Sequence, residues 1–208
     1  MASIAVIGAT GRTGQIIVAN ALSAGHHVTA IARRPENLGP ARPHLTFLRA
    51  DVLTSGWLQG ALDDHDVVIS ALGATGRGPT TVYSAGTTEM ISALEPGRRL
   101  IVISSAGLGI PADAGPGTRL AARLLHRVMR HTYADMARME ELLTTSDLNY
   151  TSVRPTRLTD QPATGRPRIS IGATAKVGPT TARADLAAFI LAAIDDPRTH
   201  RTAVAISS

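Results

Sequence analysis

The 208-residue chain has no cysteine and only one tryptophan, three tyrosines and two phenylalanines. Without cysteine there is no disulfide, no thiol nucleophile and no thiolate-held metal, and the composition fits a reducing cytoplasm. The few aromatics are not interleaved with a basic cluster, which argues against a nucleic-acid partner although the formal net charge is +5. That charge comes from arginines spread along the chain, among them Arg98, Arg99, Arg119, Arg123, Arg127 and Arg130, and not from a lysine-rich block. A mild positive field suits small anionic ligands, and the Arg119 to Arg130 stretch is expected to be a solvated helix face. Long apolar runs are also missing. The longest late one, Leu186 to Ile194, is too short to span a bilayer, and Met1-Ala2-Ser3 leads into an apolar stretch without a basic leader. We expect a soluble cytoplasmic protein without membrane or nucleic-acid partners, either monomer or dimer. No metal site is expected, because His126 and His131 are five residues apart, off a common helix face, with no acidic partner at ligand spacing.

What is present begins at the N-terminus. Ser3-Ile4-Ala5-Val6-Ile7 has the β-forming side chains of a strand buried on both faces, and Gln15 to Leu22 continues as a helix with an apolar side. Between them Gly8, Gly11 and Gly14 occupy a strand-to-helix turn, where a dinucleotide pyrophosphate can approach the backbone and meet the helix N-terminus. Thr10, Arg12 and Thr13 lie in the same turn and can reach the phosphates. No Gly-Lys-Ser/Thr follows, which excludes a mononucleotide phosphate loop.

Further strands are expected at 27–32, 45–49, 67–70, 100–104 and 150–154, and helices near 13–23, 56–62, 80–94 and 118–145. This alternation predicts one α/β domain over residues 1–208, a Rossmann-type doubly wound parallel sheet with ligands outside the carboxyl ends of its strands. Residues 155–208 are less regular and are expected to form a small substrate-side loop and cap. His26, His27, His44 and His65 precede strands and fall on the far edge of the sheet.

The strand ends supply the remaining candidates. Arg33 and Arg34 stand where an NAD site would carry an acidic residue for the ribose hydroxyl. Charge-assisted bonds of about 1.5–3 kcal/mol to a 2′-phosphate would favour NADPH over NADH on the order of ten- to hundredfold; a solvent-facing pair before a proline turn is the alternative. Asp51 and Val52 could hold an adenine, or Asp51 could start a turn. Leu72 and Gly73 let a nicotinamide lie against backbone. Ser104 and Ser105 follow the next strand, and a serine here would face the reacting group, a turn-forming role being the other possibility.

Gly8 to Gly14, Asp51-Val52, Leu72-Gly73 with Pro79-Thr80-Thr81-Val82, Ser104-Ser105-Ala106, and Arg154-Pro155 with Asp160-Gln161-Pro162 and Thr164-Gly165 occur together in that order. The chain thereby resembles the atypical short-chain dehydrogenase/reductases, in particular the NAD(P)H-binding group that includes biliverdin reductase B. The resemblance implies a single Rossmann domain, NADPH as hydride donor, and a planar acceptor such as a flavin. It also implies Ser105 beside the nicotinamide, Arg33 at the 2′-phosphate, Pro155 at the cofactor site, and a substrate region including Arg77, Tyr133, Met136 and Arg157. The Tyr-x-x-x-Lys pair of many relatives is absent, since Met136 stands at the lysine position and Tyr133 is one residue out of register. Met136 and Arg157 replace histidines of biliverdin reductase B, which points away from bilins. A non-catalytic NAD(P) sensor of the NmrA type and a ketone or enone reductase are the alternatives. The segments 73–79 and 155–168, rich in Gly, Pro and Thr, are expected to close over a ligand.

Overall fold

A computed structural model describes residues 1–76, 78–109, 115–172 and 177–208. The apolar run at the N-terminus becomes β1 (Ser3–Ile7), with Val6 opposite Ala30 of β2 (His27–Ala32) and Ile69 of β4 (Val67–Ser70). With β3 (Leu45–Arg49), β5 (Arg99–Ile103), β6 (Asn149–Pro155), β8 (Arg168–Ile171) and β10 (Thr202–Ser207), these strands form one sheet of order β3-β2-β1-β4-β5-β6-β10-β8. Only β8, paired with β10, runs antiparallel.

Both faces are covered, so the central strands carry apolar side chains without alternation. On one face Ile17 and Val18 of α1 (Arg12–Ser23) pack with Leu186 and Ile190 of α5 (Arg183–Ala192). On the other lie Met90 of α2 (Val82–Ala93) and Met139 and Leu143 of α4 (Arg130–Thr145).

Three expectations are revised. Residues 56–62 form successive turns rather than a helix, with Gly56 and Gly60 both at φ of 73°. The stretch 118–145 is two helices, α3 (Pro116–Val128) and α4, separated at Met129, whose φ of −97° and ψ of 13° leave the helical region. Much of the expected cap is built into the main body, because β10 pairs with β6 and α5 packs on α1. Only β7 (Arg157–Thr159) and β9 (Thr180–Ala182) form a separate two-stranded parallel ribbon.

Arg99 ties this C-terminal part down from inside. Its buried guanidinium donates to the carbonyls of Ala193 at 2.7 Å, Asn149 at 3.1 Å and Ile194 at 3.2 Å, and to the Thr199 hydroxyl at 2.9 Å. Burial lowers its pKa to about 10, so it still carries its charge at neutral pH.

Candidate functional site

Strand order reverses between β1 and β4, and the crevice that opens there, at the carboxyl ends of the strands, is a cleft of about 870 Å³. The glycine turn forms its floor. Gly8 has a φ of +77°, and a Cβ there would stand 2.7 Å from the Ala71 carbonyl oxygen, so the turn is pressed onto the exit of β4. A Cβ on Gly14 would stand 2.3 Å from the Gly8 oxygen, which places this glycine behind the cleft wall as a packing residue. Gly11 closes the turn by donating its N–H to the Gly8 carbonyl at 3.0 Å. The start of α1 has no side-chain cap and no acidic residue in its first turn, and Gly11, Arg12 and Thr13 all line the cleft. Such an end offers backbone N–H donors and a positive dipole to an anion.

Around this floor the structure brings together most of the sequence candidates. Thr10, Arg33, Asp51, Val52, Leu72, Gly73, Ser104 and Met136 line the same cleft. Asp51 also accepts the Leu53 N–H at 3.1 Å, so its turn role and its place in the cleft coexist. Glu36 is held by Arg49 at 2.9 Å, leaving the exposed Arg33 as the charged group that β2 delivers to the cleft.

The two serines divide. Ser104 is 3% exposed and lines the cleft; its buried hydroxyl makes no short hydrogen bond, but it lies close enough to the Glu140 carboxylate to help lower that group's pKa. Ser105 is not part of the cleft wall; its Oγ accepts the Gly107 N–H at 3.1 Å and caps a short 3₁₀ turn over Ala106–Leu108. Of the two serines it is Ser104, and not the expected Ser105, that the structure places on the cleft wall. Arg34, Pro155 and Arg157 also stay outside the cleft wall: Arg34 is exposed, Pro155 is buried in β6 opposite Ile206, and Arg157 is exposed on β7. Tyr133 packs its hydroxyl against Gly107, where a Cβ would stand 2.3 Å from that oxygen, and its ring meets His126 edge-on at 5.1 Å. It lines a second cleft of about 540 Å³, with Arg130, Glu140 and Arg154. Arg77 lies outside the described residues.

Several lining groups were not identified from sequence. Thr80, Thr81 and Val82 come from the start of α2, Leu158 from β7, and Arg183 from the first residue of α5. Burial lowers the Arg183 pKa, and the side chain pairs with Asp160 at 2.7 Å. Arg12 reaches the same Asp160 carboxylate from the glycine turn, so one acid bridges two cations beside the cleft. The Asp-Gln-Pro-x-Thr-Gly segment is held in turn by Asp185, which accepts the N–H groups of Thr164 at 3.0 Å and Gly165 at 3.1 Å and the Ser208 hydroxyl at 2.6 Å. Burial alone would raise the Asp185 pKa, but these donors outweigh it and hold it below the usual value. Glu140 behaves alike: burial opposes its charge, yet bonds from Arg154 and Ser152 keep its pKa lowered.

The profile of the NAD(P)H-binding family matches residues 8–197. Uncharacterized proteins of Mycobacterium tuberculosis and Mycobacterium bovis are 33% identical over 105 residues, which is 50% of this chain but 12% of their own length. Among solved structures, a short-chain dehydrogenase/reductase of Veillonella parvula in complex with NADP has a TM-score of 0.80 at 20% identity, over 100% of this chain and 94% of that one. A candidate NADH-flavin reductase of Streptococcus pneumoniae has a TM-score of 0.75 at 22% identity over 100% of both chains. The oxidoreductase ylbE of Lactococcus lactis has a TM-score of 0.79 at 21% identity, over 99% of this chain and 90% of that one. At these identities the likeness to the solved structures is one of fold, a Rossmann-type α/β architecture.

Proposed function

The chain belongs to the NAD(P)H-binding family, and from that premise we propose that it is an NADPH-dependent reductase of a planar conjugated acceptor, of which a flavin is the type. The observation that carries this reading is one continuous cleft with an uncapped helix start at its floor, an exposed guanidinium at the strand end, Arg33, and Ser104 on its wall. A dinucleotide fits these residues. The start of α1, with Thr10 and Thr13, would hold the pyrophosphate, Arg33 the 2′-phosphate, and Asp51 with Val52 the adenine. When bound, the nicotinamide supplies a hydride.

The protein's own work is positioning and exclusion of water. Leu72 and Met136 make the wall beside Ser104 apolar, and Gly73 leaves the backbone bare, with no atom within 4 Å of the place a Cβ would take. Ser104 Oγ is the donor available to an oxygen that gains negative charge. Met136 stands on this wall and Tyr133 is turned to the second cleft; the phenol that lines the cleft is Tyr83, whose hydroxyl accepts the Ala74 N–H at 3.1 Å and whose pKa burial raises, which makes it a weak proton donor. An acceptor that spreads the added charge over its own ring suits such a site better than an alcohol-forming ketone, whose alkoxide needs a proton donor.

Calorimetric titration of the purified chain with NADPH and NADH, followed by an acceptor screen, tests the reading. We expect NADPH to bind on the order of tenfold or more tightly, and flavin-dependent oxidation of it. Tight binding without turnover on flavins, bilins and quinones would reject the reductase and leave a nucleotide-sensing protein in its place.

A further inference from the structure

Helix α3 stands out from every other helix, because none of its described side chains is buried. Leu120 is 60% exposed, Leu124 59%, Val128 50% and Leu125 47%. At the helical spacing these four side chains fall within an arc of about 140°, while Arg119, Arg123, His126 and Arg127 fall within another of about 100°. The helix rests on α4 and on the turn over Ala106–Leu108, with the half-buried Ala122 and His126 on a flank away from the leucines. An apolar face of this size on a surface helix marks an interaction.

We propose that α3 is an interfacial helix that docks on an anionic lipid surface, with its leucine face in the acyl boundary and its arginines among the headgroup phosphates. Charge decides between occupants. From Pro116 to Ala134 the sequence holds four arginines, two histidines and no carboxylate, and the first acid, Asp135, is buried and occupied by Arg138, Tyr83 and Ser84. A second copy laid face to face would bring the exposed Arg123 and Arg127 of both helices together, like charge against like. Anionic headgroups neutralise them, and an amphipathic helix with a polar face rich in arginine is what such surfaces retain. No helix among the described residues is long and apolar enough to cross a membrane, and surface docking requires none. Arg119, Arg123, Arg127 and Arg130 are exposed, as expected of a solvated helix face, and the exposed leucines lie beside them. The proposal is independent of the hydride-transfer reading.

The test is sedimentation of the full chain with extruded vesicles of phosphatidylcholine alone and of phosphatidylcholine mixed with phosphatidylglycerol, at low and high salt. Partition onto the anionic vesicles should exceed that onto the neutral ones by tenfold or more and fall with salt. Arg123→Gln and Arg127→Gln should each weaken it about fivefold, and Leu124→Gln roughly tenfold, with unchanged thermal midpoints and nicotinamide-dinucleotide binding. Equal partition onto both vesicles, or none, overturns the proposal. A dimer in sedimentation velocity that Leu124→Gln dissociates, without vesicle binding, assigns the face to a second copy, and retention only on immobilised polyglutamate assigns it to an acidic protein; either result also overturns it.

Discussion

Ser104 and Ser105 are adjacent, yet their environments give them different work. A hydroxyl that already accepts from Gly107 fixes the chain after β5, whereas the buried Ser104 hydroxyl, held by no short hydrogen bond and only loosely drawn to Glu140, can turn to a ligand. Ser104→Ala is therefore expected to lower kcat roughly hundredfold, as loss of one donor to a developing oxyanion does, with dinucleotide affinity nearly unchanged. Ser105→Ala should lower stability by about 1 kcal/mol through loss of the cap and leave kcat within a few-fold of the wild type. Steady-state kinetics beside urea unfolding separates the two, and the reverse pattern would return the role to Ser105. Arg33 admits a parallel contrast. Arg33→Ala should weaken NADPH about ten- to hundredfold and leave NADH almost untouched, while Arg34→Ala, outside the cleft wall, should change neither by more than a few-fold in calorimetry.

Between elements, the site depends on polar ties that cross long stretches of chain. Asp135, inside α4, accepts the Tyr83 N–H at 3.0 Å and the Ser84 N–H at 3.3 Å, and so caps α2, which supplies Thr80, Thr81 and Val82 to the cleft. Asp135→Ala would strand two N–H groups, and we expect a loss of about 2–4 kcal/mol in urea unfolding together with weaker dinucleotide binding. A stability loss with unchanged affinity would show that the start of α2 does not shape the site. This tie explains which parts of the molecule were legible in the sequence. The glycine turn and the β-α alternation are local patterns, written in spacing over a dozen residues, and they emerge at their expected places, with Arg33 on the cleft wall. Asp135 and Asp185 have partners 52 and 21 residues away, so nothing in the local spacing marks either acid as a tie. The split between α3 and α4 was hidden for a different reason: residues 118–145 keep a helical pattern throughout, and only the tertiary seat of α4 against α2 bends the chain at Met129.

Over the whole molecule, charge and burial combine into a pH response with two windows. His65 is partly buried, with its Nε2 2.8 Å from the Thr29 hydroxyl, and burial lowers its pKa. In the unfolded chain a histidine takes up its proton near pH 6.5, so as pH falls below that value the unfolded state binds more protons and stability begins to decline. Asp185 and Glu140 have folded pKa values below the ordinary carboxylate range, so their contribution is complete above an unfolded pKa of about 4 and is lost as pH falls through the folded value. Asp185 matters more widely, because it joins the 164–165 loop to Ser208 at the end of β10. The urea midpoint should be flat above about pH 7, decline gently to about pH 5, and fall steeply below about pH 4. His65→Gln should reduce the gentle decline and leave the steep fall unchanged, the remainder belonging to His200, whose pKa burial also lowers. Asp185→Asn, which keeps the shape and loses the charge, should lie about 1–3 kcal/mol below the wild type at pH 7 and converge with it in acid. A constant gap between those two curves down to pH 3 would mean that the carboxylate charge does not hold the loop, and that shape complementarity alone secures the C-terminal strand.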